Sequence, residues 1–471
     1  MTTRLASMTR RPLAVAMVFA LLAPGAALAE TKKEKELEAR VAQLEAQVQA
    51  LLSSQQQQAT QLSQTQSQVT QTQSQVSQAQ TQLDEVRTTT AKLPAGKPPI
   101  QAQSIVSGAM PNTTFTFGGF IKMDGMYTET SDGRIADGSS GRLFYVPSAT
   151  PVGGAGADGG DGYTDFHAQF SRFNLSADTV TDNGDKLKAF FEVDMFGGGS
   201  NTFAGNETST NTYALTLRHA YVSWNNWLAG QTWSNFMNAD VLPDSVDFLG
   251  PVDGIAFVRQ AQLRYTSGGF SVSVENPQTT MSAYQTGVRS NSGDNALPDI
   301  TAKWQTKGDW GIFSVSGLLR QFKSLDEDET GAALSVAGKF NLGTTDDIRY
   351  QVNGGKGIGR YMALGLAPDT VVDANGGLHA EKAYGGWVSW RHLFSPKLRS
   401  NLYYALAVLD NDIRYTGFDV TERSESWHAN LIYSPFPKLD LGAEVSWGRR
   451  ELEDDRSGDL KRIQTSVKYS F

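Results

Sequence analysis

The chain contains no cysteine. That excludes a disulfide scaffold, an iron–sulfur protein, a thiol enzyme and any cysteine-ligated zinc site. Positive charge is also short: 41 Lys and Arg stand against 49 Asp and Glu, for a net −8 and a pI near 5.3. A general nucleic-acid binder needs a basic footprint, so that class goes too. Histidine is rare, and His167, His219, His379, His392 and His428 form neither HExxH nor another metal spacing. G-x-S-x-G is missing, which leaves a barrel hydrolase without its nucleophile motif. No enzymatic activity and no cofactor are expected. Finally, no run of about 18 apolar residues occurs beyond the N-terminus, so no transmembrane helix is expected. This denies only a helical membrane protein. Strands cross a bilayer without such a run.

What is present falls into four parts. Residues 1–29 read as a secretory leader: Arg4, Arg10 and Arg11, an apolar run from Leu13 to Ala23, then Ala27-Leu28-Ala29 before a cut at Glu30. Its loss takes the net charge from −8 to −11. Residues 30–87 carry a heptad seam from Leu37 through Val41, Leu44, Val48 and Leu51 to Leu62, Val69, Val76, Leu83 and Val86. The alternating four-and-three spacing holds throughout, which predicts a coiled coil rather than a disordered Gln-rich tract. At a rise of ~1.5 Å per residue the rod is roughly 80 Å long. Residues 88–113, with Pro94, Pro98 and Pro99, read as an extended linker.

Residues 114–471 alternate apolar and polar in short strands. Phe115, Phe117, Ile121 and Met123 oppose Thr116, Lys122 and Asp124; Leu439, Leu441, Ala443, Val445 and Trp447 oppose Asp440, Glu444 and Ser446. Short turns are expected near 181–185, 225–226, 268–269, 307–309, 343–346, 395–396 and 435–437. Long loops are expected near 128–165, 197–212, 237–258, 277–297, 324–331, 358–380, 409–422 and 452–458. Those connections join sixteen strands, and the fold class is all-β: a 16-stranded antiparallel transmembrane barrel preceded by an α-helical coiled coil. Trp224, Trp227, Trp310 and Tyr433 lie beside short turns, as aromatics at a membrane interface do. A secreted β-sandwich would not need them there. An even strand number puts both barrel ends on the periplasmic side, so the rod points toward the cell wall.

At this point particular segments speak. GGFIKMDGMY (Gly118–Tyr127), FHAQFSRFNLSADT (Phe166–Thr179), LRHAYVSWNNWLAGQTWSNF (Leu217–Phe236), VRQAQLRYTS (Val258–Ser267) and the terminal Phe471, behind a heptad segment, resemble the DcaP-like outer-membrane porins. GQTWS is the most specific of them. The resemblance covers nearly the whole mature chain. It implies a homotrimeric sixteen-stranded porin with a periplasmic coiled coil, preferring small anionic solutes such as dicarboxylates. Outer-membrane lipid and lipopolysaccharide are the other expected partners, with peptidoglycan for the rod if the protein is instead a structural tether. Acidic runs at Asp158–Asp161 and Asp326–Glu329 could hold Ca²⁺ or bridge lipopolysaccharide, but solvated loops account for them more simply.

The parity opposite the lipid face assigns the lumen. It places Lys122, Arg172, Arg218, Arg264, Arg320, Arg349, Arg391 and Arg399 in the pore lining, with Lys188, Lys303 and Lys339 of the same parity. Inward acids are Asp124, Glu192, Asp194, Glu275, Asp347, Asp440 and Glu444. Rings of Arg and Lys select anions, whereas mutual pairing would make the same charges wall supports. The loop from Met237 to Ala256 is expected to fold inward and carry Asp240, Asp244, Asp247 and Asp253 against wall arginines, setting up a transverse field.

Overall fold

The computed structural model describes residues 112–153, 160–197, 211 and 213–471. The leader, the heptad rod and the linker up to residue 111 lie outside the described residues.

In chain order the strands are β1 (Thr113–Thr130), β2 (Gly160–His167), β3 (Arg172–Val180), β4 (Lys186–Asp194), β5 (Thr216–Trp224), β6 (Trp227–Trp233), β7 (Arg259–Ser267), β8 (Phe270–Glu275), β9 (Thr279–Ser282), β10 (Arg289–Ser292), β11 (Asp299–Gly308), β12 (Gly311–Ser324), β13 (Glu327–Leu342), β14 (Asp346–Lys356), β15 (Thr370–Val372), β16 (Leu378–Ala380), β17 (Lys382–Ser395), β18 (Leu398–Asp410), β19 (Thr421–Phe436), β20 (Leu439–Leu452) and β21 (Ser457–Ser470). β2 and β3 lie end to end along β1, with His167 opposite Asp124 and Arg172 opposite Phe120. They are one wall strand broken at residues 168–171. Counted so, sixteen antiparallel strands circle the barrel. β1 closes it on β21, from Phe120 opposite Ser470 to Thr130 opposite Leu460. β9, β10, β15 and β16 form a separate small sheet built from two loops.

At the break between β2 and β3, side chains take over from the ladder. Ser171 Oγ accepts from the Lys122 amide at 3.1 Å. Beside the break, Gly119 adopts φ +151°, and a Cβ there would sit 2.1 Å from the Arg172 carbonyl oxygen. Only glycine fits.

Burial is inverted relative to a water-soluble fold. Phe117, Val352, Val445 and Ile463 are exposed, while Asp124, Ser273, Thr301, Asn401 and Ser426 are buried. Alternation along each strand produces this directly: one face meets lipid and the other meets the filled interior. Trp224, Trp227, Trp310 and Tyr433 are exposed beside the short turns, and Trp227 packs on Tyr265 at 4.9 Å. Phe471 stacks on Phe117 at 5.5 Å.

The seven short turns fall where the sequence placed them, all at one end. At the other end two loops expected to be long are short. β12 and β13 are joined by Leu325-Asp326 alone, and β20 and β21 by residues 453–456. There the strands run on through the segment expected to be loop, because Glu327–Gly331 continue to pair with Arg320–Ser324. Three other loops turn inward, the one at 234–258 among them as expected. They build apolar clusters inside the barrel around Phe144, Tyr145 and Val146 of the 131–159 loop, Val241, Val252 and Ile255 of the 234–258 loop, and Ile358, Tyr361 and Met362 of the 357–381 loop.

Candidate functional site: a charge ladder along an inner loop

The 234–258 loop leaves β6 and follows the inner wall. Asn238 donates from Nδ2 to Ser314 Oγ at 2.7 Å on β12. The Leu242 carbonyl accepts from Arg349 on β14. The Asp244 carbonyl accepts from Asn430 Nδ2 at 2.9 Å on β19. The Val246 amide donates to Glu444 Oε2 at 2.8 Å on β20, and its carbonyl accepts from Lys122 Nζ at 2.7 Å on β1. Phe248 then stacks on Phe170 at 3.9 Å, and Phe170 enters the lumen through the break between β2 and β3. After Gly250-Pro251 the loop doubles back. The Gly254 carbonyl accepts from Asn353 Nδ2 at 2.7 Å. A Cβ on Gly254 would lie 2.0 Å from the Gly386 carbonyl oxygen, so glycine meets glycine where the tip touches β17. Last, Phe257 N–H donates to the Tyr361 carbonyl at 2.9 Å, which joins the two inner loops.

The wall cations divide into two groups. The first is a ladder of alternating charge across five strands and the loop. Lys468 Nζ is 3.0 Å from Asp440, which is 3.6 Å from Arg399. Arg399 Nε is 3.2 Å from Asp244 Oδ2, and Arg391 Nη1 is 3.7 Å from the same oxygen. Arg391 Nη2 is 2.6 Å from Asp347, and Arg349 Nε is 2.7 Å from Asp347. Four cations alternate with three acids. The second group is spent on the wall. Arg218 is sealed between Glu192 at 2.9 Å and Asp194 at 2.6 Å, and Arg172 reaches Glu192 at 3.5 Å. Arg320 is sealed between Asp299 at 3.2 Å and Asp369 at 2.5 Å. Lys122 pairs with Asp124 at 2.9 Å, and Lys188 with Asp178 at 2.9 Å. Arg264 donates to Gln262 Oε1 at 2.9 Å, and Lys303 to the Met237 carbonyl at 3.2 Å.

This corrects the sequence reading on two points. Arg218 and Arg320, expected in the pore lining, are buried with only 3% and 1% of their side chains exposed. Parity put them inside the barrel but could not show that neighbouring acids close over them. Among the described residues, Asp244 alone of the four loop acids forms ion pairs with wall arginines. Asp240 pairs with Lys307, on a strand end beside a short turn. Asp247 accepts the Tyr145 amide at 2.9 Å, and Asp253 accepts the Tyr145 hydroxyl at 3.0 Å together with Ser424 and Ser426. These two hold loop to loop and loop to wall. Sequence reasoning also missed Asp299, Asp369 and Arg360, which wall and inward loops bring together around Arg320, and passed over Lys468 and Arg462, which share the inward parity of β21.

Burial raises the carboxyls of Asp247 and Asp253 above the ordinary range, and for Asp247 the charge of Glu444 adds to it. A raised value in the docked loop means that docking prefers the neutral acid. Docking therefore strengthens as pH falls through the raised value, and the gain is complete below the ordinary carboxyl pKa of about 4. Amide exchange over residues 245–257, corrected for intrinsic rates, is expected to be slower at pH 5 than at pH 7.5.

A sequence profile of the DcaP outer membrane protein family matches residues 160–471. Among solved structures, the outer membrane channel DcaP of Acinetobacter baumannii superposes with a TM-score of 0.62 at 28% identity, covering 76% of this chain and 98% of that one. In vitro folded OmpT, an outer membrane protein of Vibrio cholerae, matches with a TM-score of 0.47 at 10% identity, covering 76% of this chain and 98% of its own. No curated protein matches the chain. The profile takes in the wall from β2 onward together with the constriction loop, and the chain belongs to the DcaP outer membrane protein family, with the barrel of an outer-membrane channel.

Proposed function

We propose that the chain is a passive channel that prefers small anions, dicarboxylates among them. The observation that carries this is the ladder along the constriction loop, where Lys468, Arg399, Arg391 and Arg349 outnumber Asp440, Asp244 and Asp347. A guanidinium stays charged at any physiological pH and offers a carboxylate two parallel N–H donors. Net positive charge on a narrow polar wall lowers the barrier for anions and raises it for cations. Planar-bilayer reversal potentials test the reading. Chloride should permeate in preference to potassium, and Arg391→Ala or Arg399→Ala should each cut that preference about two- to fivefold, the effect of one screened charge. Cation selectivity in the unmodified protein would sink it.

The same reading takes residues 1–29 as a leader, 30–87 as a periplasmic rod and the assembly as a homotrimer in contact with lipopolysaccharide. The unbroken seam from Leu37 to Val86 supports the rod, since a tract without structure has no reason to keep register. Deleting residues 30–90 separates its two uses. Loss of the trimer makes it an assembly device; an intact trimer with a loosened envelope makes it a tether to peptidoglycan.

A further inference from the structure

The ladder contains one member that does not belong to the wall. Asp440 and Asp347 are fixed on β20 and β14, whereas Asp244 arrives from the constriction loop. It is also the most exposed residue of the ladder, at 36% of its side chain. Its hold on the arginines is poor for a carboxylate. A single oxygen, Oδ2, spans Arg399 Nε at 3.2 Å and Arg391 Nη1 at 3.7 Å. Neither guanidinium makes the two-bond fork that carboxylates favour. Arg391 Nε is buried without a hydrogen-bond partner. Beside Asp244 and Arg399 lies a cavity of about 230 Å³ whose charged lining is Lys122, Asp244, Asp247, Arg399, Asp440 and Lys468, with Arg391 on the far side of Asp244.

We propose that Asp244 is a resident carboxylate: it occupies the Arg391–Arg399 pair in place of a permeating solute and exchanges with the solute's carboxylate there. This rests on the anion-channel reading above. An incoming carboxylate enters the cavity at Arg399, reaches Arg391 as Asp244 swings aside, and leaves Asp244 to the solvent it already touches. The loop does not come away, because the Asp244 carbonyl stays on Asn430 and the Val246 amide stays on Glu444. When the solute leaves, Asp244 returns. The pair is thus never bare, and a carboxylate solute is held briefly instead of trapped. Chloride, which cannot fork, competes with Asp244 far less well than a carboxylate does.

The test is block of single-channel chloride current by added succinate in four proteins. Unmodified protein should be blocked weakly. Asp244→Asn, and Asp244→Ser as a second form should the first fold poorly, should lower the half-blocking succinate concentration about fivefold. Asp240→Asn removes the same charge from the same loop away from the arginines, and should shift it less than about twofold. Arg399→Ala should abolish block. Equal shifts for the Asp244 and Asp240 variants would reduce the effect to net charge and overturn the proposal. No shift in the Asp244 variants, with chloride preference still reduced in Arg399→Ala, would overturn exchange while leaving the anion channel standing. Cation selectivity in the unmodified protein would remove both.

Discussion

Arg320→Met is expected to cost about 3–5 kcal/mol of barrel stability and to free the small sheet at the loop end. The guanidinium gives Nε to Asp299 at 3.2 Å, Nη1 to Asp369 at 2.5 Å and to the Gly357 carbonyl at 2.7 Å, and Nη2 to the Gln278 carbonyl at 2.8 Å. It lies over the rings of Phe322 and Tyr361. One side chain thus binds the 276–298 loop, the 357–381 loop and the wall. Methionine fills the space but leaves two carboxylates in a dry site. Asp299 keeps Arg360 and the Tyr361 hydroxyl, while Asp369 keeps only neutral donors, among them Thr280 and the Arg360 amide. Breaking one partner of a buried ion group is costlier than never having built it. The heat-modified gel shift of the folded barrel should move to lower temperature, with new proteolytic cuts in residues 276–298 and 357–381. Arg320→Lys should recover only part, since an ammonium cannot span all four acceptors. An unchanged transition in the methionine variant would mean that the network contributes nothing net.

The second large effect lies on the other face. Val352→Arg is expected to lose about 2–4 kcal/mol in lipid. Val352 is 57% exposed and sits opposite Val336 and Gly386, between the aromatic levels of Tyr350 and Tyr384. A guanidinium there meets hydrocarbon and must reach an interface several residues away. Urea unfolding in vesicles, followed by tryptophan fluorescence, measures the loss. Val352→Leu should stay within about 0.5 kcal/mol, because size matters little where lipid yields. If the arginine variant unfolds with the unmodified protein, Val352 does not face lipid.

Why one residue tolerates no charge while Asn353 beside it is buried and bonded inward was legible in the sequence. So were the strand number, the seven short turns and the inward parity of Arg349, Arg391 and Arg399, because all follow from a period of two. The destinations of loops do not follow from any period. Phe144, Tyr145 and Val146, and later Ile358, Tyr361 and Met362, were a usable hint: loops that stay in water rarely carry such runs. Pair partners were beyond reach. Glu192 serves both Arg172 and Arg218 across neighbouring strands, and Asp299 serves both Arg320 on the next strand and Arg360 on an inward loop, and parity alone does not say which acid takes which cation. Asp247 and Asp253 were misassigned because their donors come from Tyr145 on a different loop and from β19.

The carbonyl of Val246 has a consequence for how the ring forms. It accepts from Lys122 on the first strand and, at 3.4 Å, from Gln464 on the last. A residue from the middle of the chain therefore sits across the seam like a clasp. The two ends must find each other over some of the longest sequence separations in the molecule, and such closures are slow because the search precedes any reward. A loop already lying along the wall offers both ends a common landing point. Narrowing of the pore and zipping of the seam then become a single kinetic event, and a nascent barrel held ajar would be one whose aperture has never been set.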